Sequence, residues 1–319
     1  MRLSDFIRRR QRRPAILMYH RIARLDHDPW ELAVSPENFE RQISMIAAEC
    51  APLKMSDFVG RLRAGTLRRN HVAITFDDAY LDNLTCARPI LARHNVPSTV
   101  FAVSDYVRDG RGFWWDEWTR LVLAAPTRAD FSLALGPHSF NFQWDATPAP
   151  SRWRSWQAPH GARQATFTEA YPHLQKADPS LRDAFFESLR LRLGDARLPA
   201  ERSMNTAELQ AHLANDLFEL GSHTMTHPPL ARIDARTAAT EIEASRDALV
   251  SLSGAQIAGI AYPYGSCSDE VEKMTAESGY DWACTTRSGG IVPGLSQFAL
   301  PRLAVRDWDV ETFRRALCA

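Results

Sequence analysis

Short apolar runs, Ala15 to Tyr19, Val72 to Phe76, Ser98 to Val103, Leu217 to Leu220, Ile257 to Tyr262 and Trp282 to Thr285, are separated by stretches patterned as helices. This alternation predicts an α/β fold, either a (β/α) barrel or a doubly wound sheet. Ser35-Pro36-Glu37-Asn38-Phe39, followed by Gln42, Ile43 and Ile46, reads as an amphipathic helix capped by Ser35 with proline in its first turn. Asp234 to Leu252 repeats apolar residues at helical spacing, and Gly254 is a natural stop. Residues 110–200 break the rhythm, being rich in Trp, Pro, Arg and His, with Phe113-Trp114-Trp115, Trp144, Trp153 and Trp156. The expected organisation is a basic segment over 1–13 and a barrel over 14–319, with 110–200 as an insertion covering one barrel end.

The 319 residues carry equal totals of Lys+Arg and Asp+Glu, 38 each, so a nucleic-acid partner is not expected. The basic run Arg8 to Arg13 reads first as a solvated terminus. Its other reading is a weak contact with an anionic membrane surface, at about 1 kcal/mol per cation. No apolar stretch is long enough to span a bilayer, and no export signal is read at the start of the sequence. The five cysteines contain no CxxC pair and suggest no disulfide framework or thiolate zinc site. A cytoplasmic location is the expectation.

Candidate chemistry begins at Ala73-Ile74-Thr75-Phe76-Asp77-Asp78, where an apolar run ends in two carboxylates. The C-terminal ends of strands are where α/β folds keep their reactive groups. Adjacent residues leaving a strand point in different directions, so one carboxylate can hold a metal while the other takes a proton. Alone, such a pair is more often a turn or a helix cap.

His223 and His227, in Gly221-Ser222-His223-Thr224-Met225-Thr226-His227, again follow an apolar run. A spacing of four puts both imidazoles on one side of a helical turn, and two His with one carboxylate form a common open metal site. A single histidine here would more often be structural. The same set also describes the facial triad of a non-haem iron oxygenase, although no cosubstrate signature accompanies it.

Taken together, Thr75-Phe76-Asp77-Asp78, His223-Thr224-Met225-Thr226-His227 and Tyr262-Pro263-Tyr264-Gly265 resemble the motifs of the polysaccharide deacetylases, carbohydrate esterase family four with its NodB-like homology domain. The resemblance covers the chain from about Ala15 to the C-terminus, without the insertion. It implies a distorted (β/α) barrel and a metal-dependent hydrolase that removes an N-acetyl group from an amino sugar. It makes Asp77 the catalytic base and assigns Asp78, His223 and His227 to a divalent ion, zinc first, with cobalt, manganese and nickel as alternatives. The Tyr264 backbone N–H, after Pro263, would help to stabilise the oxyanion. Such an ion polarises a carbonyl and lowers the pKa of water from 15.7 towards roughly 7.

Two departures from the family pattern stand out. Members commonly protonate the leaving amine from a histidine in a late Leu-x-x-His motif, yet no histidine follows His227. The corresponding stretch, Leu300-Pro301-Arg302-Leu303, offers an arginine, which does not act as a general acid. His20, at the end of the first predicted strand, is the substitute acid in this reading, with loop orientation as the other role open to it. Ala261 stands where an arginine often orients the basic aspartate, and Arg302 could supply that cation from another strand. These departures leave a second class open, a metal-dependent carbohydrate-binding barrel without turnover. The expected substrate is an N-acetylated sugar, glycolipid or oligosaccharide from surface polysaccharide assembly.

Overall fold

The structure, a computed structural model, describes residues 13–195, 201–292 and 294–318. The basic run at the N-terminus therefore lies, apart from Arg13, outside the described residues. The strands in chain order are β1 (Ala15–Tyr19), β2 (Arg21–Ile22), β3 (Ala33–Val34), β4 (Ala51–Leu53), β5 (His71–Phe76), β6 (Ser98–Ala102), β7 (Ala129–Leu135), β8 (His138–Trp144), β9 (Phe218–Ser222), β10 (Gly259–Ala261), β11 (Trp282–Cys284) and β12 (Leu303–Ala304). The main sheet runs β11-β10-β9-β6-β5-β1-β12 with every neighbouring pair parallel, and β4 pairs with the start of β5.

Strands β1, β5 and β6 are buried along their whole length, the pattern of parallel strands covered on both faces. Their side chains divide by parity between two apolar clusters. Leu17, Tyr19, Ile74, Phe76, Val100 and Ile260 belong to the larger one. Ile16, Ala73, Phe101, Ala261 and Leu300 belong to the other. The period of two along each strand produces this sorting. It also places Thr75 and Asp77 in phase with Ala73, the parity of the smaller cluster. The indole of Trp282 is part of that cluster, and a Cβ on Gly259 would sit 2.2 Å from it, so glycine is what admits the ring. Trp282 is therefore core.

The two ends of the curled sheet meet through residues 300–304. Leu300 bridges Cys284, its N–H donating to Ala283 O at 2.9 Å. Leu303 and Ala304 then pair with Leu17 and Met18. Arg302, between them, has no exposed surface.

Helix Pro36–Glu49 forms where its proline and apolar stripe predict, burying Phe39, Ile43 and Ile46. Its cap differs from expectation. Ser35 occupies the cap position, but its side chain caps nothing in the helix and its hydroxyl donates to Asp307 Oδ1 at 2.6 Å. Helix Ala235–Ser253 behaves as read: Asp234 accepts from Thr237 N at 3.0 Å, and Gly254 ends it with φ 69°.

By spatial clustering the chain forms two compact units, one of Met1–Arg24, Leu32–Arg111 and Ser203–Ala319, the other of Leu25–Glu31 and Gly112–Arg202. The second unit has its own core. Strands β7 and β8 form an antiparallel hairpin whose alternating burial presents Phe140, Phe142 and Trp144 inward. Trp118 is fully buried among Phe142, Phe167, Phe185 and Phe186, at 5.9–6.3 Å between ring centroids. Trp114, Trp115 and Trp153 are buried as well, whereas Trp156 is 58% exposed. Most of the tryptophans thus pack the unit itself.

Candidate active site

Asp77 leaves β5 with its backbone still in the sheet, its N–H donating to Tyr19 O at 3.0 Å. Asp78 turns away with φ 70°, followed by Ala79 with φ 54°. Left-handed backbone at these residues costs about 1–3 kcal/mol each and persists only where surrounding structure holds it. It separates the two carboxylates: Asp77 faces Arg302, while Asp78 faces the histidines. The divergence expected from adjacent positions is therefore enforced by a backbone turn.

Arg302 grips Asp77 with two parallel bonds, Nη1 to Oδ1 at 2.6 Å and Nη2 to Oδ2 at 2.7 Å. Two further donors are used, Nε to Thr285 O at 2.9 Å and Nη1 to Thr75 Oγ1 at 3.1 Å. Bidentate geometry with four of its five N–H groups engaged suits a buried arginine. Burial by itself would raise the Asp77 pKa, but Arg302, with His223 and His20, outweighs it and holds the carboxyl well below the usual range. Asp77 is ionised at every ordinary pH. The structure thus brings Arg302 to Asp77.

His20 Nε2 lies 3.9 Å from Asp77 Oδ2, too long for a direct hydrogen bond, and its side chain is 19% exposed. Burial lowers its pKa to about 4, with Arg302 and His223 adding to the effect and Asp77 opposing it. The ring is neutral at pH 7. Its backbone is fixed by neighbours that the sequence reading did not single out: Asn83 Nδ2 donates to His20 O at 2.8 Å, and Asp82 accepts from Ile22 N and Arg21 Nε at 2.9 and 3.0 Å. Asn83 opens a single π-helical turn, Asn83–Ala87.

Asp78, His223 and His227 are all buried, with one potential ligand atom from each within 4.8 Å of the others. His223 Nε2 and His227 Nε2 stand 3.7 and 3.5 Å from Asp78 Oδ1. Bonds of about 2.0–2.2 Å from one ion let two donors stand up to about 4 Å apart, so both pairs fit a shared divalent cation. The tautomer agrees. His223 Nδ1 is 2.7 Å from Ala261 O, which can only accept, so Nδ1 carries the proton and Nε2 offers its lone pair towards Asp78. Burial also lowers the His223 pKa, favouring the neutral ring that ligation needs.

The two histidines do not lie on a helical turn. They sit on an irregular loop after β9 in which Thr224 and His227 have φ 67° and 65°. Their convergence comes from the loop's anchors. His223 N donates to Ala102 O at 2.8 Å, and His227 N donates to Thr224 Oγ1 at 3.1 Å. Between them, Met225 N and Thr226 N donate to the buried carboxylate of Glu241 at 2.8 and 2.9 Å. Glu241 belongs to helix Ala235–Ser253, whose helical spacing pointed to no site residue. A carboxylate on the buried side of an amphipathic helix was the available signal.

Pro263 is buried, and Tyr264, with φ 58°, packs its ring 4.7 Å from His227. Gly265 follows with φ 65°, and a Cβ there would meet Thr286 N at 2.8 Å, so only glycine allows this corner. The Tyr262–Gly265 turn therefore stands beside the group of Asp78, His223 and His227.

A curled parallel α/β sheet thus carries at its strand ends a buried Asp-His-His group that could hold a metal ion, beside an arginine-held aspartate. The family model for polysaccharide deacetylase matches residues 64–125 and 196–283, the stretches that contain Asp77, Asp78, His223, His227 and Tyr264. Over these stretches, just under half of the chain, the resemblance to the polysaccharide deacetylases is shown. Its fold is similar to that of the Streptococcus pyogenes deacetylase PplD in complex with acetate, at 18% identity and TM-score 0.61, covering 96% of this chain and 98% of that one. IcaB from Ammonifex degensii gives 16% identity, TM-score 0.60 and coverages of 97% and 98%. The deacetylase domain of BpsB from Bordetella bronchiseptica gives 17%, 0.53, 94% and 97%. Comparison with curated protein sequences gives no match.

Proposed function

We propose that the protein is a metal-dependent hydrolase that removes the N-acetyl group from an amino sugar within a glycan, glycolipid or oligosaccharide. The observation that carries this reading is the division of labour at Asp77 and Asp78. One carboxylate is locked to Arg302, and the other faces two imidazoles at ligand spacing.

Asp78, His223 and His227 would hold a divalent ion, zinc first among the candidates. When bound, it would supply Lewis acidity to the acetyl carbonyl and acidify water near neutral pH. Asp77, ionised and fixed in rotamer by Arg302, accepts the proton from the attacking water. A carboxylate held so far below its usual pKa is a weak base, so the water must be acidified for this transfer to proceed. The backbone N–H of Tyr264 donates to the developing oxyanion, a contact whose loss costs about 3 kcal/mol in comparable sites. His20, neutral at rest and on the Asp77 side of the centre, takes up the proton that Asp77 accepted from water and delivers it to the departing amine.

Acetate release from N-acetylhexosamine oligosaccharides and from lipid- and nucleotide-linked N-acetyl sugars tests the reading, with zinc, cobalt or chelator added. Release that chelator abolishes and metal restores is expected. Release indifferent to chelator would refute it.

A further inference from the structure

The second unit contains a cavity of about 320 Å³ walled by Trp144, Asp145, Pro148, Pro150, His160 and residues 161–164. Residues 162–164 are the first turn of the 15-residue helix Ala162–Lys176, whose cap position is Gly161, with no side chain to accept the first-turn N–H groups. Gln164 is 2% exposed; its Oε1 accepts His160 N–H at 2.6 Å, while its Nε2 has no hydrogen-bond partner. Arg163 is 5% exposed, donates to Val122 O, Thr127 O and Asp145 O at 2.8, 2.7 and 2.9 Å, and lies 4.9 Å over the Trp144 ring, while its Nε makes no hydrogen bond. These surplus groups on the wall are donors, and they gather at the positive end of a helix dipole.

We propose that this cavity binds the oxyanion of an acidic sugar, a phosphate or carboxylate carried on a saccharide ring. Helix N-termini favour such groups, and a buried amide donor beside one adds direction. The volume exceeds that of a lone oxyanion, and Trp144, Pro148 and Pro150 give the carbon skeleton an apolar wall. Asp145 is the one acid on the wall; its carboxylate accepts Thr147 N–H at 2.8 Å and opposes an incoming anion. The site lies wholly within the second unit and stands apart from the deacetylase reading.

Calorimetric titration of the full chain with glucosyl phosphate, glucuronate, inorganic phosphate and neutral glucose tests it. Binding of glucosyl phosphate or glucuronate in the millimolar range or tighter is expected, and the tighter of the two identifies the source of the charge. Gln164→Glu keeps the acceptor for His160 N–H and places a favourable negative charge in the first helical turn, so the fold is retained. It should nonetheless weaken the acidic sugar about tenfold or more, while acetate release from a neutral substrate stays unchanged. Asp145→Asn should tighten binding, by roughly threefold. Equal binding of neutral glucose, a weakened Asp145→Asn, an unaffected Gln164→Glu or no heat with either acidic sugar would each overturn the proposal.

Discussion

The Asp77–Arg302 pair shows how far one interaction can set the character of a site. Both partners are buried and every Arg302 nitrogen is engaged, so removing the cation strands a charge rather than a contact. Arg302→Met is predicted to cost about 3–5 kcal/mol of stability at pH 7, measurable by chemical denaturation. Arg302→Lys recovers only part of it, since an ammonium cannot make the planar two-bond grip. The sign with pH follows from the depressed Asp77 pKa: its contribution is present above the ordinary carboxylate value of about 3.9 and is lost as pH falls through the lower folded value. His20→Gln is predicted to cut turnover by about 10²–10⁴-fold while metal content, read by atomic absorption, stays intact. Near-normal turnover would remove His20 from proton delivery. Asp77, Asp78, His223 and His227 were legible from motif order alone, because backbone turns at strand ends fix their neighbours. The Arg302 contact was an inference from chemical need. Glu241 was missed because helical periodicity identifies a buried face, not what an acid on that face will meet.

Among the elements, helix Ala235–Ser253 and the loop after β9 work as one device. Glu241 collects two backbone N–H groups from between the two histidines, so Glu241→Ala should let that loop relax. The expected outcome is a loss of metal affinity of about 10–100-fold, read by chelator competition. Unchanged affinity would show that the anchors at Ala102 and Thr224 suffice. Helix Thr206–Leu213 offers a different test. His212 is buried against Phe218, 4.8 Å between rings, and neither ring nitrogen has a hydrogen-bond partner. Burial, with Arg88 nearby, lowers its pKa to about 3. The unfolded chain takes up this proton below about pH 6.5 and the native chain does not, so stability is lost as pH falls from there towards 3. His212→Leu should therefore gain about 2 kcal/mol relative to the parent at pH 5, measured against the difference at pH 7. The strands themselves were well marked in the sequence, β1 as Ala15 to Tyr19 and β5, β6, β9, β10 and β11 to within a few residues. The weak ones were not. β4 contains Pro52, and β12 is two residues long, held by its neighbours on the sheet rather than by its own propensity.

The whole molecule carries its recognisable chemistry in one unit and its unusual composition in the other. The first unit's parity rule sends Asp77 to the same side as Thr75 and lets residues 300–304 bring Arg302 there from the far end of the chain. Order along the sequence could not show that meeting, because it depends on the sheet curling until β11 and β1 share a segment. The second unit's hairpin, with apolar residues alternating along β8, was hidden under an aromatic-rich composition that reads as irregular until strand pairing organises it. Trp118→Ala is predicted to destabilise that unit by about 3–5 kcal/mol, since it removes the ring around which four others pack. Tryptophan fluorescence during denaturation would record it. The central claim concerns the other unit: two neighbouring carboxylates with different tasks. Metal content and acetate release of Asp77→Asn and Asp78→Asn, measured side by side, test it most directly. Asp77→Asn is expected to keep its metal and lose acetate release, whereas Asp78→Asn loses both. Equal metal loss in the two variants, or acetate release surviving in Asp77→Asn, would contradict it.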